Sequence, residues 1–160
     1  MGWVDYMLEI RADQFIDLPV EVVYRRVCQD YFAFQPVWDP AILKMTALSD
    51  PPIAEGSEAT IARTFRNNAQ IGTSKVIELV EGTSITVRSS FSTNSETRYV
   101  SCHRLEGGGT RLHVEISYEL KGIARLVAPL STSLVERALA ISLRAVKDEL
   151  EGNLGTSENS

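Results

Sequence analysis

The chain has 160 residues, 44% hydrophobic and 23% charged, the make-up of an ordinary folded domain and not of a fibre or a disordered segment. One domain of this length buries roughly 70% of the surface that its unfolded chain exposes. The net charge is −5 and the acidic residues are dispersed, so no basic field exists to hold a phosphate backbone, and nucleic acid is not an expected partner.

Met1 to Tyr6 shows no basic segment leading into an apolar run, and no stretch approaches the roughly 18 apolar residues of a membrane span. A cytoplasmic location is the expectation, with Cys28 and Cys102 reduced and serving as small apolar residues. From Leu8 to Ile16 the even positions are mostly apolar while Glu9, Arg11 and Asp13 face away, the period of a half-buried strand. Pro19 suits the first position of a helix, because its missing N–H is an orphan there in any case. That helix is expected over Val20 to Cys28, with Val20, Val23, Tyr24, Val27 and Cys28 on one face.

Tyr31 to Ile42 is aromatic and interrupted by Pro36 and Pro40, which predicts a second helical turn followed by a loop. An edge-like strand is expected near Lys44 to Leu48, then turn chemistry over Asp50 to Gly56. Four longer strands follow, over Ser57 to Arg66, Gln70 to Val80, Ser84 to Phe91 and Glu96 to Glu106, joined by short polar or glycine-containing turns. Links this tight make an antiparallel meander. Gly107 to Gly109 then turns the chain into a strict alternation over Thr110 to Leu120.

The closing helix is expected from Ile123 to Glu151, with Pro129 as a kink or a new start. Val127, Leu130, Leu134, Ala138, Ile141 and Ala145 form one apolar stripe, and Val135, Leu139, Val146 and Leu150 a second beside it. This face is wider than one sheet face needs, which suggests that the helix also lines a cavity. Residues 1–151 read as one domain and 152–160 as a disordered tail.

Several short motifs stand in a telling order. Ile16, Asp17, Leu18 and Pro19 precede Glu21, Val22, Val23 and Tyr24; Trp38, Asp39 and Pro40 follow; Gly109, Thr110 and Arg111 start the last strand; Val146 to Glu151 ends the helix. In these motifs, over residues 4–151, the chain resembles the SRPBCC (START-like, helix-grip) superfamily, and within it the polyketide cyclase/dehydrase-like branch. Leu18 and Tyr24 stand where that pattern usually has Ala and Trp. The resemblance implies an α+β helix-grip fold: a curved seven-stranded antiparallel sheet around a long C-terminal helix, with two short helices after the first strand. It implies a cavity between sheet and helix but no shared catalytic set.

Polar residues on the apolar side of each strand are then the site candidates. In the last strand Val114, Ile116 and Tyr118 face in, and in the preceding one Leu105, taken as inward, brings Tyr99, Ser101 and His103 with it. Arg63 shares a face with Ala59, Ile61 and Phe65, so either a bulge turns it to solvent or it reaches the cavity. Ser89 and Gln14 are inward by the same count, Leu130, Leu134 and Ile141 are wall candidates on the helix, and Trp38 belongs either to the cavity mouth or to the core.

His103 is the better general base of the two histidines, with Tyr118 as its partner in proton transfer, whereas His113 faces out. Opposite facing also speaks against a shared metal, and Gly107 to Gly109 lacks the lysine and following helix of a phosphate loop, so no cofactor is expected. The leading expectation is a container for a hydrophobic small molecule: a lipid, polyketide, quinone or other aromatic compound. The alternatives are a cyclase or dehydratase acting through His103 or Tyr118, and a protein-interaction module with an apolar patch on the terminal helix.

Overall fold

Strict alternation and tight turns draw the middle of this chain into strands, and the computed structural model describes residues 6–65, 68–120 and 132–158. The strands are β1 (Tyr6–Ile16), β2 (Ile42–Ala47), β3 (Glu58–Phe65), β4 (Asn68–Val80), β5 (Ser84–Ser90), β6 (Asn94–Arg104) and β7 (Thr110–Leu120). They form one curved antiparallel sheet in the order β1-β7-β6-β5-β4-β3-β2. From β2 to β7 every strand lies beside its sequence neighbour, the expected meander, and β1 closes onto β7 in register from Tyr6 opposite Leu120 to Ile16 opposite Thr110.

After β1, Pro19 sits one position earlier than expected: it caps α1 (Val20–Tyr24) with a non-helical ψ of 146°, and its carbonyl accepts from Val22 and Val23. The helix continues as a π-helical turn over Arg25–Gln29, closed by the Asp30 N–H donating to the Arg25 carbonyl. Next comes α2 (Tyr31–Trp38), which runs through Pro36 for eight residues and not the single turn expected. Proline removes one helical hydrogen bond, but burial of Tyr31, Phe32, Phe34, Gln35 and Trp38 holds the helix in place. It stops where Asp39, preceding Pro40, takes the extended backbone that a following proline imposes.

The terminal helix α3 (Thr132–Glu158) packs against β1 and α2. Pro129 and residues 123–131 of the expected helix lie outside the described residues. The helical backbone runs to Glu158. Leu139, Leu143, Val146 and Leu150 are buried. Ile141 is 67% exposed, which corrects its expected place in the wall. Its stripe and the buried one lie side by side, and the sheet covers only the stripe of Leu139 and Val146.

The core joins the inner sheet face to α1, α2 and α3, with Ile16, Val23, Phe34, Ile85, Leu112 and Leu143 among its most deeply buried members. Cys28 and Cys102 are both buried and free. A hydrogen bond to Cys102, together with burial, pushes the Cys28 thiol well above the ordinary range, so Cys28 acts as an inert packing group.

Gly72 on β4 connects this packing to the interior chemistry. A Cβ there would lie 2.2 Å from the Ser90 carbonyl oxygen and 2.7 Å from the Phe91 ring. Phe91 in turn stacks over the Arg63 guanidinium at 3.9 Å. Gly72→Ala is expected to lower stability by about 1–3 kcal/mol through overpacking, measured as a shifted urea midpoint.

Candidate functional site

Strand pairing decides which side chains meet inside. On β6, Glu96 lies opposite Tyr118, Arg98 opposite Ile116, Val100 opposite Val114 and Cys102 opposite Leu112. These even-numbered residues share the inner face with Leu8 and Ile10 of β1, and the same face on β3 carries Ala59, Ile61 and Arg63. Between this face, the turn after α2 and one side of α3 lies a cavity of about 380 Å³. Leu8, Ile10, Ile42, Ile61, Ile116, Val135, Ala138 and Leu139 form its apolar wall, with Trp38 at the end of α2 and Ser142 on α3.

One end of the cavity is ionic. Arg63 Nη1 donates to Glu96 Oε2 at 2.7 Å, and its Nη2 donates to the Asn94 side-chain carbonyl. The other Glu96 oxygen lies 2.8 Å from Arg98 Nε, close enough for ion pairing but off the line that a hydrogen bond requires. Arg98 Nη1 reaches Asp39 Oδ2 at 3.3 Å. Arg63, Glu96 and Arg98 are 4–6% exposed, so this Arg63–Glu96–Arg98–Asp39 chain is a buried network. Burial works to lower the Arg98 pKa, but Glu96 beside it, with Tyr31, Asp39 and Tyr118, more than offsets this and holds the guanidinium charged.

Tyr118 lines the same end. Desolvation, then the Glu96 charge, pushes its phenol above the ordinary range against the opposing pull of Arg98 and Arg63, so at neutral pH it is a hydrogen-bond donor. The end therefore offers guanidinium N–H groups, a phenolic O–H and two carboxylates beside an apolar chamber.

Trp38, Arg63, Ile116 and Tyr118 lie where the sequence reading brings them together, and the inward alternative for Arg63 is the one observed. Val114 is buried on the same face and packs in the core, not on the cavity surface. Ser89 also faces in, but its hydroxyl is 2.6 Å from that of Ser74 and it does not reach the cavity. Gln14 is half-buried at the end of β1 and donates to the Phe15 carbonyl. Leu130 and the Leu134 side chain lie outside the described residues.

Tyr99, Ser101 and His103 are on the opposite face of β6, which corrects their expected inward facing. Leu105 is no guide to their facing, because β6 ends at Arg104 and Leu105 belongs to the turn and not to the alternation. On the outer face Ser101 Oγ lies 2.9 Å from His103 Nε2, and the Tyr99 ring meets His113 edge-on. His103 and His113 thus share one face, contrary to the expectation that they point apart, and no group of three His, Cys, Asp or Glu among the described residues is placed to hold a metal. His103 is removed as a cavity base. Asp39, Glu96 and Arg98 are charged cavity residues absent from the candidates that the sequence offers, and anchoring β6 on Val100 and Cys102 finds the last two.

Comparison with known proteins gives a consistent picture. A sequence model of the family described as "Polyketide cyclase / dehydrase and lipid transport" matches residues 7–151. The aromatase/cyclase Zhui from Streptomyces sp. R1128 has a similar structure, with a TM-score of 0.73 and 15% identity over 93% of this chain and 96% of that one. TTHA0849 from Thermus thermophilus matches with a TM-score of 0.72 and 17% identity over 91% and 98% of the two chains. A START superfamily protein from Mycobacterium smegmatis matches at 0.70 and 16%, over 91% and 98%. No curated protein sequence matches the chain significantly. No helix among the described residues is long and apolar enough to cross a membrane.

Glu96→Gln leaves two buried guanidinium groups facing a neutral amide and is expected to destabilise the fold by about 3 kcal/mol, measured by urea unfolding. On the outer face His113 sits 2.7 Å from Asp13 and 3.1 Å from Glu115. Burial works to lower its pKa, but hydrogen bonds to Glu115 and Asp13 outweigh this and raise it above 6.5. The resulting stabilisation is complete below pH 6.5 and is lost as pH rises through the raised folded-state value. His113→Gln is expected to flatten that part of the stability profile.

Proposed function

Because this chain belongs to the polyketide cyclase/dehydrase and lipid transport family, we propose that its cavity binds a hydrophobic small molecule of the lipid, polyketide, quinone or aromatic class. The carrying observation is the cavity itself: about 380 Å³, apolar along β1, β3, β7 and α3, and polar at one end. This volume lies within the range of small-ligand sites, and a mostly apolar lining with a few convergent polar groups is the usual composition of such a site. Burial of the ligand's apolar body supplies the affinity, and the polar end orients it.

A second reading is an enzyme of cyclase or dehydratase type, favoured by the Tyr118 hydroxyl and the Glu96 carboxylate at one end of the cavity. In that reading Tyr118 delivers a proton to a substrate oxygen, a carboxylate receives one, and the walls fold the chain into reacting geometry. With His103 outside, any proton transfer falls to these residues.

The test is binding of the uncharged fluorophore N-phenyl-1-naphthylamine, read as fluorescence enhancement. Ala138 lines the cavity and is solvent-exposed on α3, so a larger side chain fits there without displacing the core. Wild type should bind, and Ala138→Trp should weaken binding roughly tenfold while leaving the unfolding midpoint within about 0.5 kcal/mol of wild type. An absence of binding to wild type, or equal binding to the variant, would count against the cavity as the ligand site.

A further inference from the structure

The ionic end of the cavity is balanced, and we propose that this balance selects a ligand with an uncharged, oxygen-bearing head, with Asp39 as the residue that sets the selectivity. The inference rests on the reading of the cavity as a small-molecule site. Among the described residues, the charged groups lining it are Arg63, Arg98, Glu96 and Asp39, two cations and two anions. The lining residues of α3 are uncharged.

Each guanidinium already faces a carboxylate, Arg63 facing Glu96 and Arg98 facing both Glu96 and Asp39. A ligand carboxylate would enter as a third anion, shedding its water without an uncompensated cation to receive it. A ligand ammonium meets the same obstacle with the signs reversed. A ketone, ester, quinone or phenol oxygen carries a much smaller desolvation cost and needs only a donor. Tyr118 supplies one.

Asp39 is the adjustable member. Its side chain is 13% exposed, against 5–7% for the other three, and its contact with Arg98 is the longest ion pair of the four-residue network. Its Oδ1 accepts from the Ala41 backbone N–H at 3.0 Å, a bond that asparagine retains. Asp39→Asn therefore keeps the turn after α2 while leaving the polar end with one excess positive charge.

The experiment compares 2-acetylnaphthalene with 2-naphthoate, probes of one ring skeleton that differ in charge, by titration calorimetry at neutral pH. Wild type is expected to bind the ketone roughly tenfold more tightly than the carboxylate, and Asp39→Asn to tighten naphthoate binding roughly tenfold with little change for the ketone. Asp39→Ser, whose hydroxyl can also accept from Ala41, gives the same readout should the asparagine variant fail to fold. Equal binding of the two probes to wild type overturns the proposal. So does a preference unchanged in the variants, because the apolar walls alone would then account for it. Binding of N-phenyl-1-naphthylamine without either naphthalene probe overturns the head-group inference and leaves the cavity reading standing. Loss of all three overturns the cavity reading itself.

Discussion

Four charged side chains inside an apolar chamber constrain everything around them. Arg63, Glu96, Arg98 and Asp39 cannot keep their water once β3, β6 and the turn after α2 close over them, so each must find an opposite charge in the folded state. The partners come from parts of the chain that only the finished sheet brings together, with Arg63 paired 33 residues ahead and Asp39 paired 59 ahead. A hydrophobic replacement of the whole set could be as stable, since desolvation cancels much of what a buried pair gains. Their place in a cavity wall is therefore better explained by what they do there than by stability. Once present, they pin the sheet to the end of α2, and the loss of any one exposes the others to an unmatched field.

That pinning reaches into the neighbouring packing. Phe91 covers the Arg63 guanidinium, and Gly72 leaves the space in which Phe91 lies. Arg98 also lies 5.9 Å from the Trp38 ring, so the aromatic end of α2 and the charged end of the cavity share a boundary. The residue without a side chain and the two aromatics matter to the site without offering any reactive group.

Strands and turns were legible in the sequence because a period of two and short polar links are local signals, and six of the seven strands follow them to within a few residues at each end. The seventh, β7, matches its expected span. Facing was legible wherever the inner side was apolar, as on β1 and β7. It failed on β6 because that strand inverts the usual rule, placing Glu96 and Arg98 inside and Tyr99 outside. Charged residues in alternation look like a solvated face, and only the partner strands reveal otherwise. Ile141 failed for a related reason, since two adjacent apolar stripes on a helix do not say which one the sheet will cover. Asp39 was visible as part of a Trp-Asp-Pro turn but not as an ion-pair partner, because its partner lies across the fold.

The division between wall and polar end also determines where discrimination resides. An apolar wall distinguishes ligands weakly, since one methylene more or less changes binding by only about 1–3 kcal/mol and a flexible side chain can absorb part of it. A buried group built to make a hydrogen bond discriminates more sharply, because a ligand that fails to match it leaves a desolvated donor or charge behind. Proteins sharing this fold at 15–17% identity need not share the residues that line a cavity, because a fold does not fix a site. In this chain those residues are Asp39, Arg63, Glu96, Arg98 and Tyr118, and the β6 register that turns Glu96 and Arg98 inward is what gives the chamber its own chemistry.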